Sequence, residues 1–348
     1  MRALVVDGPR SAWVKNIATP VPDQGQLLVE VERVGICGTD VELYNGEMAY
    51  FGQGLTHFPL RLGHEWTGRV STVGPDTDPA WVGKRVTGDT MLGCGTCRSC
   101  LAGRHHVCPT RSEVGITDGW PGALAELMLV SARFALAIPD SVSVTAAAMV
   151  EPGGNSLRAV DACCLSSGDR LLVLGSGTIG LLAAQIALAR GLDVHVAGRR
   201  ASSLELARQL GVRHTHQISE VARGSGRHFD AVIDASSIEA IPSLAVELVE
   251  SAGRVVFIGL SSTPSLVDTR LLALRDVTAV GVLSASPGLI GAIELFASGA
   301  VNPEPLVSEV IGLDEVASRL EGKRGETSGI GPKVHVDPRE ASTKRRPR

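Results

Sequence analysis

Four of the chain's seven cysteines fall within fifteen residues, at Cys94, Cys97, Cys100 and Cys108 in CGTCRSCLAGRHHVC. The spacing C-x2-C-x2-C-x7-C lets four thiolates converge on one tetrahedral ion, and a set of four sulfurs closes the coordination sphere. Such a site staples a fold and leaves no open position for a substrate. An iron–sulfur cluster uses the same ligands, so spacing alone does not exclude it; a redox group or a chance cluster is the remaining reading.

A second set of donors is spread along the chain. GICGTD places Cys37 beside Thr39 and Asp40, LGHEWTG sets His64 next to Glu65, and MVEPGGN places Glu151 before a proline. Together they offer one thiolate, one imidazole and one or two carboxylates. Three such ligands plus a water make a zinc site with an open position, where the ion acts as a Lewis acid on an alcohol or carbonyl oxygen.

A third constellation reads as a nucleotide loop. DRLLVLGSGTIGLLAAQIALARG runs from an apolar strand through Gly175, Gly177 and Gly180, with Thr178 and Ile179 in the same loop, into a helix. The glycines allow a tight turn, close approach of a pyrophosphate and close helix–strand packing, and the helix N-terminus attracts the phosphate charge. In NAD-preferring folds the second strand ends in an acid that binds the ribose 2′-hydroxyl. Here LDVHVAG ends in Gly198, expected to leave room for a phosphate, and Arg199 and Arg200 follow. Their guanidinium forks suit a 2′-phosphate, which favours NADP over NAD. The plainer reading is that both arginines solvate an exposed helix start.

These groups must be positioned by elements that the pattern predicts. Strand-like runs recur at FDAVIDAS, GRVVFIGL and VTAVGVL with helical segments between, the signature of a doubly wound parallel sheet. Leu171 to Ala189 carries no charge over nineteen residues, but its three glycines point to strand, turn and helix rather than a membrane span. The chain has 348 residues, a net charge of −4 and 40 glycines. That length suits two domains, and the charge argues against nucleic acid or an anionic membrane as partner. The N-terminus lacks the features of a secretory signal, and a cytoplasmic location is expected. Cys163 and Cys164 read as small buried fillers.

In their order, GICGTD, LGHEWTG, the four-cysteine lobe, VEPGGN and GSGTIG resemble the zinc-dependent medium-chain dehydrogenases/reductases, the alcohol and polyol dehydrogenase superfamily. The resemblance spans about residues 1 to 338 and is closer to the sorbitol, threonine and glucose dehydrogenase branches, because Glu151 stands where vertebrate-type alcohol dehydrogenases carry cysteine. It implies a GroES-like catalytic domain from 1–153 and 287–338, with a structural zinc lobe at 94–108 and an inserted Rossmann domain at 154–286. Pro152-Gly153-Gly154 and Pro287-Gly288 would punctuate the hinges, and the active site would lie in the interdomain cleft. Residues 339–348, with five basic side chains, read as a disordered tail.

The resemblance also implies roles: two zinc ions per chain, with Cys37 and His64 as catalytic-zinc ligands and Glu65 or Glu151 as the carboxylate. Thr39 would take the alcohol proton. Many relatives continue the relay with a histidine where this chain has Glu42, which would accept a proton or bind a sugar hydroxyl, or else lie solvated at the surface. Trp120, in TDGWPGALAEL, would line the substrate pocket or shield the core. A homodimer or homotetramer joined at a Rossmann edge strand, VTAVGVLSASP, is expected.

The implied activity is hydride transfer between a secondary alcohol, more on a polyol, sugar or cyclitol than a simple alkanol, and NAD(P). A threonine-type or simple secondary-alcohol dehydrogenase is the alternative. A zinc-free reductase of the same fold would lack the ligand sets. A zinc-ribbon binding module would explain only residues 94–108 and predicts a basic domain.

Overall fold

A computed structural model describes residues 1–223, 228–323 and 328–340. Most of the basic tail, from 341 on, lies outside the described residues. The chain forms two compact units. Of the described residues, the first contains those of Met1–Glu151 and Val307–Gly329 and those from Lys333 to Glu340; the second contains those of Pro152–Leu306 and Ile330–Pro332.

The first unit is organised by the long strand Gln26–Ile36, whose inward positions Leu27, Val29, Val31 and Val34 are fully buried. It pairs antiparallel with Glu65–Val73 on one side and with Lys333–Val336 on the other. The register sets Gly35 opposite both Glu65 and His335. Residues far apart in sequence are thereby brought to one end of one strand. The helix Gly38–Asn45 leaves that end directly and stops at Gly46 in the left-handed region (φ 77°), where glycine carries no steric penalty.

The second unit is a six-stranded sheet in which every pairing is parallel. From one edge its strands are His214–Gln217, Asp193–Gly198, Arg170–Leu174, Phe229–Asp234, Val249–Phe257 and Thr278–Gly281. Leu171, Leu172, Val173 and Leu174 are all fully buried, as expected for a strand covered on both faces. Burying each contributes about 1.5–3 kcal/mol relative to exposure. The uncharged run from Leu171 is therefore a strand followed by the helix Thr178–Ala189. No helix among the described residues is long and apolar enough to cross a membrane.

Both expected boundaries move, the second by much more. The second junction falls between Leu306 and Val307, not at 287, and the first falls at Glu151–Pro152, two residues before the expected 153. Pro287-Gly288 is no hinge: it lies in a turn packed against the helix Val150–Ala162. A Cβ at Gly288 would stand 2.3 Å from the Gly154 carbonyl oxygen, and one at Gly153 would stand 2.8 Å from Phe296 Cζ. This close packing holds the helix Leu289–Ala297 in the nucleotide-fold unit.

Candidate active site

Cys37, His64 and Glu65 come together in the first unit, with one donor atom from each within 4.8 Å of the others. His64 and Glu65 are buried, and Cys37 is half-buried. Cys37 precedes the first turn of the helix Gly38–Asn45, where its amide donates to Asp40 Oδ2 at 2.8 Å. Asp40 Oδ1 accepts from the Gly63 amide at 3.2 Å and faces His64 Nδ1 at 3.5 Å. That ring contact is electrostatic, too long for a good hydrogen bond. It turns Nδ1 toward Asp40 and leaves Nε2 for a metal. Burial alone would raise the Asp40 carboxyl, but the His64 ring and the two amides outweigh it and hold the group below its usual range.

Glu65 is clamped from the far side. Lys333 Nζ donates to Glu65 Oε1 at 2.8 Å, to Oε2 at 2.6 Å and to the Ile36 carbonyl at 3.0 Å. The lysine reaches across the central strand past Gly35, where a Cβ would stand 2.2 Å from Glu65 Oε2. Burial would lower the Lys333 ammonium, but the charges of Glu65 and Cys37 raise it above its usual value. Glu151 is also buried, in the first turn of the helix Val150–Ala162. Among the described residues it is not part of the close three-donor group. A thiolate, an imidazole and a carboxylate converging in a buried pocket fit a zinc ion with an open position.

Thr39 stands in the first turn of the Cys37 helix, and Glu42 follows at i+3, a spacing that places both on one side of a helix. Among the described residues neither the Thr39 hydroxyl nor the Glu42 carboxylate has a hydrogen-bonding partner. Glu42 is half-buried; burial first, and the charge of Glu47 second, raise its carboxyl above the usual range. A fully solvated surface glutamate would show no such shift. Trp120 lines a cavity of about 310 Å³ with Val5, Leu60, Arg61, Ile116 and Asp118. None of Cys37, Thr39, His64 or Glu65 lines it.

The four-cysteine lobe is assembled by its own backbone. The Cys94 amide donates to Cys108 Sγ, Cys97 to Cys94 Sγ and Cys100 to Cys97 Sγ, at 3.4–3.5 Å. Sγ of Cys94 and Cys100 are 3.9 Å apart, and those of Cys97 and Cys108 are 3.8 Å apart. Tetrahedral thiolates with bonds of about 2.3 Å stand about 3.8 Å from one another; both these pairs match, and all four sulfurs lie within 4.8 Å of one another, so the cluster fits a zinc ion. Gly93 is required beneath it, because a Cβ there would stand 2.8 Å from Cys100 Sγ. No disulfide links these cysteines. Of the other two, Cys163 is the buried filler expected, whereas Cys164 is exposed and has positive φ (53°).

In the second unit Gly175 makes the turn after the first strand with φ 122°. A Cβ at Gly180 would stand 1.9 Å from the Gly175 carbonyl oxygen, so only glycine lets the helix close on the turn. Gly177 caps that helix and Thr178 opens it, while the Ile179 carbonyl accepts from Ser156 Oγ at 3.0 Å. The space beside Gly198 differs from expectation. It is taken by Ser176 of the loop, whose Oγ a Cβ at 198 would meet at 2.2 Å. Arg199 and Arg200 are exposed just past the strand end, and among the described residues neither guanidinium has a partner.

Asp40, Lys333 and Gly35 had no assigned role in the sequence. Asp40 stood inside GICGTD and its position offered a signal. Lys333 lies 268 residues from Glu65, and nothing in GPKVHV marks its partner.

Residues 23–140 match the model of the alcohol dehydrogenase GroES-like domain, and residues 178–298 match that of the zinc-binding dehydrogenase domain. An L-threonine 3-dehydrogenase of Legionella pneumophila is 30% identical over 283 residues, 78% of this chain and 80% of that protein. A solved structure described as a zinc-binding dehydrogenase from Sinorhizobium meliloti 1021, bound to NADP, is 29% identical with a TM-score of 0.88, covering 97% of this chain and 99% of that one. Another, described as a short chain alcohol dehydrogenase from Escherichia coli CFT073 complexed with NADH, is 27% identical with a TM-score of 0.87 and the same coverage. The chain belongs to the zinc-dependent medium-chain dehydrogenase/reductase superfamily. Within it, the chain is a zinc-dependent, NAD(P)-dependent alcohol dehydrogenase.

Proposed function

We propose that the enzyme oxidises a secondary alcohol on a polyol, sugar or cyclitol, with NADP as the preferred acceptor, and reduces the ketone by the same path. The carrying observation is the half-buried, unpaired Glu42 carboxylate one turn beyond Thr39 on the helix that begins at Cys37. A polyhydroxylated substrate offers such a carboxylate a second hydroxyl to bind.

Cys37 and His64, with Glu65 or Glu151 as the carboxylate, would hold the catalytic zinc; the four-cysteine lobe would hold a second, structural ion. When bound, zinc supplies Lewis acidity toward the alcohol oxygen and the nicotinamide supplies the hydride acceptor. Asp40 fixes the His64 ring, and Lys333 fixes the Glu65 carboxylate. Thr39 Oγ1 receives the hydroxyl proton as the alcohol is oxidised, and Glu42 accepts it next or orients a neighbouring hydroxyl. Gly175 makes the turn, Gly177 would let the pyrophosphate approach the backbone and Gly180 packs the helix on that turn; Arg199 and Arg200 would meet the 2′-phosphate.

A threonine-type substrate is the second reading, favoured by the relatives named L-threonine 3-dehydrogenase. A panel of polyols, sugars, aminocyclitols, L-threonine and simple secondary alkanols, run with NAD and NADP, tests the proposal. The highest kcat/KM on a polyol, sugar or cyclitol is expected; the highest value on L-threonine or an alkanol overturns it.

A further inference from the structure

Three histidines and an aspartate meet on the two strands at the opposite edge of the parallel sheet from Thr278–Gly281. His195 lies on Asp193–Gly198, directly across from His214 on the edge strand, and His216 is across from Ala197. The His195 ring stacks on His214 at 4.4 Å between centroids and on His216 at 5.2 Å, with interplanar angles of 16° and 9°. Asp193 sits below them: its Oδ1 is 3.5 Å from His214 Nε2, and its Oδ2 is 3.7 Å from His195 Nε2. One donor atom from each of Asp193, His195 and His214 lies within 4.8 Å of the other two.

We propose that Asp193, His195 and His214 form a further divalent-cation site of the zinc class, with water completing the coordination. Zinc bonds of about 2.0–2.1 Å to nitrogen and oxygen place tetrahedral ligands about 3.4 Å apart; here each imidazole Nε2 stands 3.5 or 3.7 Å from a different oxygen of Asp193, so the carboxylate can meet a shared ion through both oxygens. Those separations are too long for good hydrogen bonds, so Asp193 meets the two rings through electrostatic contacts, as Asp40 meets His64. His216 supplies the orienting contact that metal-bound histidines usually have. Its Nε2 is 3.0 Å from His195 Nδ1. In the tautomer with the proton on His195 Nδ1, that nitrogen donates to His216 Nε2 and leaves Nε2 able to ligate. Imidazole with carboxylate and water suits zinc and its first-row neighbours, not calcium or magnesium.

The site is separate from the chemistry already assigned. Asp193 opens its strand, whereas the glycine loop and the paired arginines follow the carboxyl ends of the strands, where nucleotides bind in such sheets. A metal here ties the short edge strand His214–Gln217 to its neighbour.

The test uses the full chain without an affinity tag, dialysed against a weak chelator so that the cysteine-held metal stays in place. Isothermal titration with Zn2+ should show one further equivalent in the wild type. That equivalent should be lost in His214→Ala and in Asp193→Asn, with dichroism and alcohol oxidation unchanged. Both side chains are more than 40% exposed, so both variants should fold. As a check that needs no variant, the ring-nitrogen resonances of His195 and His214 should move when Zn2+ is added to the wild type. No further equivalent in the wild type, the same equivalent retained in both variants, or unmoved ring nitrogens would each overturn the proposal. Because no outcome depends on the substrate or on NADP, its failure is distinguishable from failure of the proposed function.

Discussion

Lys333 Nζ sits 2.6 and 2.8 Å from the two carboxylate oxygens of Glu65, with both side chains almost wholly shielded from solvent. The ammonium must therefore fix the Glu65 carboxylate beside Cys37 and His64. Removing one member of a buried pair strands the other charge, at a cost of about 3–5 kcal/mol. Lys333→Met should lower the stability of the first unit by that order in urea unfolding. The double variant Lys333→Met with Glu65→Gln should recover much of the loss, because no buried charge remains unpaired. Equal losses in the single and double variants would show that the pair contributes no electrostatic coupling.

The two sulfur-containing sites should respond differently to substitution. Cys100→Ser removes one of four converging thiols, and metal binding by such a set is folding free energy. It should reduce solubility and thermal stability. Cys37→Ser should leave a protein that melts near the wild-type temperature but has negligible turnover. Metal analysis should find fewer zinc ions per chain in each. Two variants that melt like wild type and are merely slow would contradict this division of labour.

Glu42→Gln keeps the size of the side chain and removes its charge. Turnover on the true substrate should fall by at least about tenfold, below the 10²- to 10⁴-fold typical of a positioned acid–base group, because water can relay part of the proton flux. The melting temperature should not fall, since a carboxyl raised by burial gains nothing from being ionised in the folded state. Unchanged kinetics would return Glu42 to a passive surface role.

Among the described residues the strand Thr278–Gly281 is hydrogen-bonded on one side only, to Val249–Phe257, and its residues are largely exposed. An unprotected edge strand is a template for pairing with another chain. Sedimentation at micromolar concentration should give at least a dimer of the 36.3 kDa chain, and Val280→Pro should shift it toward monomer. A wild-type protein found only as monomer would refute the assembly.

Much of this site was readable in advance because local spacing encodes it. Four cysteines in fifteen residues must cluster, and GSGTIG between an apolar strand and a helix allows few conformations. The Lys333–Glu65 clamp was not readable, because it depends on the register of two strands with Gln26–Ile36, which no local motif records. The return of the chain at Val307 was missed for a similar reason. Pro287-Gly288 has the composition of a hinge, but the close approach of Gly288 to Gly154 makes it a packed turn. Likewise, the Asp193–His195–His214 group exists only once two strands are paired.

Cofactor choice turns on the end of the strand Asp193–Gly198. No acid stands there to bind a ribose 2′-hydroxyl, and one at 198 would collide with Ser176 Oγ unless the loop moved. The proposed recognition of the adenosine end rests on Arg199 and Arg200, which are exposed and unpaired among the described residues. Positive charge at the start of the helix Ala201–Gln209 is mildly unfavourable against the helix dipole, so an anionic ligand at this point gains from both arginines. NADP should give the higher kcat/KM. Arg199→Ala together with Arg200→Ala should lower kcat/KM for NADP by about 10- to 100-fold for each charged hydrogen bond lost, at about 1.5–3 kcal/mol per bond, and leave NAD nearly unaffected. Steady-state kinetics with both cofactors decides the matter: a wild-type kcat/KM for NAD equal to or above that for NADP overturns the assignment, as does a double variant that loses both cofactors equally.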